Sequence, residues 1–144
     1  MHLSRRSVLL VGIVSLLGCT DTSGPKTISA LYDLQNINGR PLPTYFTTSG
    51  PTIVSGTLML DKSGGAILTE TQEVNGVQST NARTYTYSIE NGTIHFELSP
   101  PCPINANCVA APIGTISGNT ISLVVAQVSI DGEIVYNFKT APTL

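Results

Sequence analysis

The residues of this chain with the most versatile chemistry are its three cysteines. Cys102 and Cys108 lie 108 − 102 = 6 positions apart in a proline-rich segment, whereas Cys19 stands alone near the N-terminus. A thiol can be alkylated, can form a disulfide or can bind a metal ion, and its compartment and neighbours decide which. The N-terminal segment therefore has to be interpreted first.

The first 18 residues have the order of a secretory signal. Arg5 and Arg6 form a short basic start, and an uncharged, mostly apolar run of 18 − 7 + 1 = 12 residues follows over 7–18. A helix that spans a membrane needs about 20 apolar residues. The run therefore predicts an export signal over 1–18 rather than a transmembrane helix.

The run ends in Leu16-Leu17-Gly18-Cys19, which resembles the lipobox of bacterial lipoproteins. The resemblance implies that the Cys19 thiol receives a diacylglyceryl group, that cleavage occurs before it, and that its new amino group is acylated, for example with palmitate. One acyl chain anchors a protein only marginally, but two or three hold it stably. We therefore expect a lipidated Cys19 and a polar tether over 19–26. The alternative is an ordinary secretory signal with a chance cysteine near its end.

The same resemblance implies a place in the bacterial cell envelope. Thr20, rather than Asp, follows the cysteine, which in enteric bacteria permits sorting to the outer membrane. The segment 4–10 also resembles the twin-arginine export motif, although Val8 and Leu10 depart from it. We expect the general secretory route, with the twin-arginine route as the alternative.

An exported chain meets an oxidising compartment, which favours a disulfide between Cys102 and Cys108. Closing so small a loop contributes on the order of 2 kcal/mol in the chain-entropy model. A metal site is disfavoured because His95 is the one histidine left after cleavage. A reactive dithiol is disfavoured because the spacing is not C-x-x-C.

The remaining polar residues form no catalytic or metal-binding constellation, so we expect neither an enzyme nor a cofactor. His95 falls on the polar face of a predicted strand. Glu70 and Glu73 point to opposite faces of another, although Glu70 shares its face with Ala66 and Leu68. Without residues 1–18 the net charge is 5 − 9 = −4. The chain has no basic patch, which argues against binding nucleic acid.

Short alternating runs separated by turn residues predict an all-β domain over 27–144. Asn-Gly and Asp-Gly pairs mark tight hairpins, and consecutive hairpins favour an antiparallel up-and-down meander. On the second strand we expect Val54 to share the inner face with Gly56 and Leu58. Eight strands can close into a barrel without edges. The predicted strands are 27–35, 52–61, 66–74, 77–90, 93–99, 112–117, 120–130 and 133–140.

The segment 32–43 resembles the opening of small lipocalin-like lipoproteins of environmental bacteria. It has an aromatic-x-Leu strand, an Asn-Gly turn at Asn38-Gly39 and a Pro-Leu-Pro step. Later Gly-x-Ile pairs, such as Gly92-Thr93-Ile94, fit the same pattern. The resemblance implies an eight-stranded lipocalin-like barrel.

Two interpretations of the inner face remain open. Its aromatic residues either fill a core or line a pocket for a small apolar ligand or envelope lipid, with phenol groups as polar anchors. A carrier predicts a continuous cavity. A structural or interaction lipoprotein, of the envelope-assembly or enzyme-inhibitor kind, predicts a filled interior and a protein partner held by exposed loops at 44–51 and 100–112. The candidate pocket residues are Tyr32, Tyr85, Tyr87, Phe96 and Tyr136.

Overall fold

The computed structural model describes residues 26–45, 50–129 and 132–142. The predicted export signal and Cys19 lie outside this part of the chain. Within it, no helix is long and apolar enough to cross a membrane. The regular elements are strands β1 Ala30–Ile37, β2 Arg40–Pro41, β3 Thr44–Tyr45, β4 Thr52–Leu60, β5 Gly65–Val74, β6 Val77–Glu90, β7 Thr93–Leu98, β8 Ile113–Ser117, β9 Thr120–Ser129 and β10 Gly132–Thr140.

Eight of these strands form a closed antiparallel barrel. From β4 to β10 each strand pairs with the next along the chain, and β1 closes the sheet by pairing with β10 on one side and β4 on the other. The two short strands, β2 and β3, pair with β1 and β4 in the connection between them. The predicted eight-stranded up-and-down meander is therefore confirmed.

Asn-Gly pairs make three of the tight turns, as their sequence predicts. In the turn between β5 and β6, Asn75 and Gly76 have φ angles of 53° and 77°, and the pairs at 38–39 and 91–92 have the same signs. This turn requires positive φ at both central residues, which Asn and Gly adopt more readily than other residues. Strand register is thus fixed locally at several hairpins.

Two β-bulges change which residues point inward. In β4 the register shifts between Ile53 and Ser55, so Ile53 is buried and Val54 is only half-buried. The expectation that Val54 shares the inner face with Gly56 was wrong for this reason. A similar shift between Leu34 and Asn36 in β1 brings Ile37 into the core.

Side chains from adjacent strands fill the space beside two glycines, Gly56 and Gly114. A Cβ atom on Gly56 would lie 3.1 Å from Cδ2 of Leu34, and one on Gly114 would lie 2.6 Å from Cδ2 of Leu123. Real Cβ atoms essentially never approach another heavy atom more closely than 3.0 Å, so a side chain at Gly114 would force its neighbours to shift. The buried apolar residues are Tyr32, Leu34, Ile37, Ile53, Leu58, Leu60, Ala66, Leu68, Tyr85, Tyr87, Ile94, Phe96, Ile121, Leu123, Val125, Ile134, Tyr136 and Phe138.

The two ends of the barrel differ. At one end, which we call the tether end, the backbone of Lys26 exchanges hydrogen bonds of 3.0 and 3.1 Å with Ile89. The connections there are the short turns at 61–64, 91–92 and 118–119. The opposite end, which we call the loop end, carries the segment 38–45, the loop 99–112 and the hairpin of β5 and β6. That hairpin extends past the barrel because β6 pairs with β7 only from Tyr85 onward.

Candidate functional site

The loop 99–112 carries the predicted disulfide. Cys102 and Cys108 are joined, with an S–S distance of 2.05 Å, so this prediction is confirmed. Residues 100–110 are all exposed, and the side chain of Ile104 is 93% exposed. The disulfide therefore ties together a loop that stands away from the barrel core.

The five candidate pocket residues all lie on the inner face of the barrel, and each exposes between 1% and 6% of its surface. The structure brings three of them into one aromatic group, because the ring of Phe96 lies 5.6 Å from that of Tyr85 and 6.2 Å from that of Tyr87. Tyr136 lies beside Phe138 instead, with ring centroids 6.2 Å apart. These rings pack against one another and against aliphatic neighbours.

Tyr87 has a structural task at the tether end. Its hydroxyl accepts a hydrogen bond of 2.8 Å from the backbone N–H of Ile28. The carbonyl oxygens of Ile28 and Asp61 lie 2.5 and 2.8 Å from the same hydroxyl, which donates its proton to one of them. Tyr87 thus holds the first described segment of the chain against the tether end of the barrel.

The inner face also carries a charged group near the loop end, which we call the Glu70 cluster: Glu70, Arg83, Tyr85 and Tyr136. The side chain of Glu70 is 3% exposed, and its Oε2 lies 3.3 Å from Nη2 of Arg83. Its Oε1 accepts a hydrogen bond from the hydroxyl of Tyr136. Since buried charges are costly without partners, this pairing is what allows a carboxylate inside the barrel.

Strand alternation explains how the cluster forms. Glu70 follows Ala66 and Leu68 on the inner face of β5, and Arg83 precedes Tyr85 at alternate positions of β6. The pairing of β5 with β6 places Arg83 directly opposite Leu68. Leu68 is the neighbour of Glu70 on the inner face of β5, so Arg83 lies diagonally across from Glu70. The sequence analysis placed Glu70 on the same face as Ala66 and Leu68 but missed Arg83, although the spacing of Arg83 from Tyr85 was the available signal.

The cluster links strands that are not neighbours. Tyr136 lies on β10 and Glu70 lies on β5. Even along the shorter arc of the barrel wall, β1 and β4 separate these two strands, so the contact crosses the interior. Both oxygens of the carboxylate have protein partners, so the arrangement holds three strands in a fixed relation. It also places the guanidinium of Arg83, whose side chain is 29% exposed, at the loop end of the interior.

The other polar residues considered from the sequence lie on the outer wall. His95 is exposed in a shallow groove with Thr86, Ser88 and Glu97. Glu73 faces outward and accepts a hydrogen bond of 3.1 Å from the amide of Gln78. Among the residues that the structure describes, no three His, Cys, Asp or Glu side chains gather in a group that could hold a metal ion.

The buried tyrosines predict how stability depends on alkaline pH. Burial raises the pKa of Tyr136, and the nearby charge of Glu70 and their hydrogen bond raise it further. Burial also raises the pKa of Tyr32, Tyr85 and Tyr87. A raised folded-state pKa contributes stability that is complete below the unfolded value of about 10 and is lost as the pH rises above it. We therefore expect alkaline unfolding to begin near pH 10.

Replacing Tyr136 by Phe tests this expectation. Above pH 10 the unfolded chain loses a proton that the folded chain keeps, so each such tyrosine lowers the free energy of unfolding by about 1.4 kcal/mol per pH unit. Urea unfolding at a series of pH values should show a slope smaller by about that amount in the variant. The control Phe138→Leu should lower stability at every pH without changing the slope. An unchanged slope in Tyr136→Phe would contradict the argument.

The arrangement is thus a packed barrel with a charged cluster inside one end and exposed loops beyond that end. The interior charges of Glu70 and Arg83 are paired with each other, and most of the large exposed apolar side chains of the described residues lie around the loops. No protein-family model, no curated protein and no solved structure matches this chain.

Proposed function

We propose that this chain is a lipid-anchored protein of a bacterial cell envelope that binds a protein partner through the loop end of its barrel. The observation that carries the proposal is the position of its exposed apolar side chains. Five of the eight large exposed apolar residues of the described chain lie at the loop end, and three, Leu31, Met59 and Ile113, lie on the outer wall. The five are Tyr45, Val74, Val77, Ile104 and Val109.

The barrel interior supports a binding role for the surface rather than for a cavity. A carrier of a small apolar ligand or envelope lipid needs an accessible inner surface. The five candidate pocket residues leave 6% or less of their surface accessible, and paired charges occupy the loop end of the interior. The carrier hypothesis stays a prediction from the sequence, and the geometry favours the interaction hypothesis.

The position of the tether supports the same function. Lys26 is held at the tether end by its hydrogen bonds to Ile89, and the predicted lipidation site, Cys19, precedes it by 26 − 19 = 7 positions. A lipid on Cys19 would hold the tether end close to the bilayer. The loop end would then point away from the membrane, where an envelope partner can reach it.

Photo-crosslinking in cells of the source bacterium tests the proposal. A photoreactive amino acid replaces Ile104 at the loop end or, as the matched control, Asn119 in an exposed turn at the tether end. We expect a protein adduct of defined mass from position 104 and none of that mass from position 119. The interaction proposal fails if both positions give the same adducts or if neither gives one.

Native mass spectrometry of the protein purified from its own host distinguishes the carrier hypothesis. A small apolar molecule bound in constant proportion would favour a carrier. Protein of the mass of the chain alone, together with an adduct at position 104, would favour the interaction function.

A further inference from the structure

In the part of the chain that the structure describes, β6 has no neighbouring strand on one side where the hairpin leaves the barrel. β5 pairs with β6 along its whole length, from Val74 opposite Val77 to Gly65 opposite Thr86. On the other side, β7 pairs with β6 from Tyr85 onward, and the N–H of Ser99 then bonds to the carbonyl of Thr84 at 3.1 Å. The segment 77–83 is therefore an edge, which we call the free edge of β6.

The direction of the backbone groups on this edge follows from the pairing pattern. In an antiparallel pair joined by a two-residue turn, the residues that flank the turn bond to each other, and every second residue does so after that. Val77, Ser79 and Asn81 thus face β5. Gln78, Thr80 and Ala82 direct their N–H and C=O groups outward, as Thr84 does toward Ser99. Within the described part of the chain these six groups have no backbone partner.

The free edge lacks the features by which proteins protect edges from pairing. Protection usually comes from lysine, proline, a bulge or a covering loop. Residues 77–82 contain no charged residue and no proline, and the register with β5 has no bulge. Arg83 is directed inward to Glu70, and residues 74–82 are all exposed. This edge is therefore open to another extended chain.

We propose that the free edge of β6 binds an extended segment of the partner protein as an additional strand. The proposal rests on the interaction function above and specifies its mode. Backbone hydrogen bonds would supply affinity, and alternate side chains of the segment would supply specificity. Val74 and Val77, opposite each other on one face, select apolar side chains. The other face carries polar pairs, Thr71 with Thr80 and Glu73 with Gln78.

Antiparallel pairing with a second copy of this chain is disfavoured for a geometric reason. Two identical antiparallel strands are related by a half-turn about an axis perpendicular to their sheet. That rotation reverses the barrel, so the two tether ends would point in opposite directions. Chains anchored in the same bilayer cannot meet in this way, which favours a different protein as the source of the strand.

The substitution Thr80→Pro tests the proposal in the full-length protein in its own host. Proline removes an outward N–H but no bond to β5, and edge strands tolerate it. The control Thr80→Ala also loses the hydrogen bond to Thr71 but keeps the backbone N–H. With a photoreactive amino acid at position 82, we expect the adduct to decrease about tenfold in Thr80→Pro and to persist in Thr80→Ala.

The outcomes separate this inference from the function on which it rests. An adduct that survives Thr80→Pro, that joins two copies of this chain, or that forms at position 104 but not at 82 would overturn the strand-addition proposal alone. If the protein that retains Thr80 gives no adduct at position 82 and none at position 104, both proposals are overturned. Hydrogen exchange gives a readout without proline: the amides of Gln78, Thr80 and Ala82 should become protected in the complex, and unchanged exchange would refute the proposal.

Discussion

Replacing Arg83 by Met is expected to lower the free energy of unfolding by about 3–5 kcal/mol, the usual effect of removing one partner from a buried ion pair. Methionine fills much of the space of the arginine stem but leaves Glu70, whose side chain is 3% exposed, without its cation. The hydrogen bond from Tyr136 remains but cannot compensate a full charge. Urea unfolding followed by circular dichroism measures the change.

Two further variants make this result specific. In the double variant Glu70→Leu/Arg83→Met both charges are gone, so we expect a smaller loss than in Arg83→Met alone, since apolar replacements of buried ion pairs are often neutral. The control Arg40→Met removes an exposed cation on β2 and should change stability by less than about 0.5 kcal/mol. Equal losses in Arg83→Met and Arg40→Met would show that the buried pair has no special role.

Replacing Cys19 by Ser is expected to abolish lipid attachment and the cleavage that depends on it. Serine lacks the nucleophilic thiolate that lipid transfer requires. Incorporation of labelled palmitate should fall to background, and the chain should keep the mass of its uncleaved form. Membrane fractionation and mass spectrometry of the protein from its own host measure the loss of anchoring and the retained mass.

The other cysteines provide the matched control for this experiment. Cys102→Ser/Cys108→Ser removes the disulfide at the loop end and should leave palmitate incorporation unchanged. If Cys19→Ser is still processed and held at the membrane like the unsubstituted protein, the lipoprotein interpretation of the N-terminus is wrong.

The parts of the fold that depend on local sequence were predictable. The Asn-Gly turns and the alternation in segments such as 85–89 and 134–138 determine where strands begin, end and face. Each hairpin then positions the next, so the strand order follows from short-range pairing. The disulfide was also predictable, because six positions separate its cysteines and the predicted export signal implied an oxidising compartment.

The parts that depend on how the sheet closes were not predictable. The bulge at Ile53 changes the inward face of β4 without a turn residue to mark it. The bond between Tyr136 and Glu70 joins residues 66 positions apart on non-adjacent strands. Its existence depends on the stagger of the whole barrel, which no single segment encodes.

The order of strands around the barrel also bears on how the chain reaches its native state. Apart from the pairing of β1 with β10, each barrel strand pairs with the barrel strands that precede and follow it along the chain, whereas Tyr32 of β1 pairs with Thr140 of β10, 140 − 32 = 108 positions later. Long-range pairing is the slow part of folding because the intervening chain must first lose entropy. A polypeptide that emerges N-terminus first can therefore build its hairpins in succession. The seam between β1 and β10 can close only at the end, once the last strand has emerged.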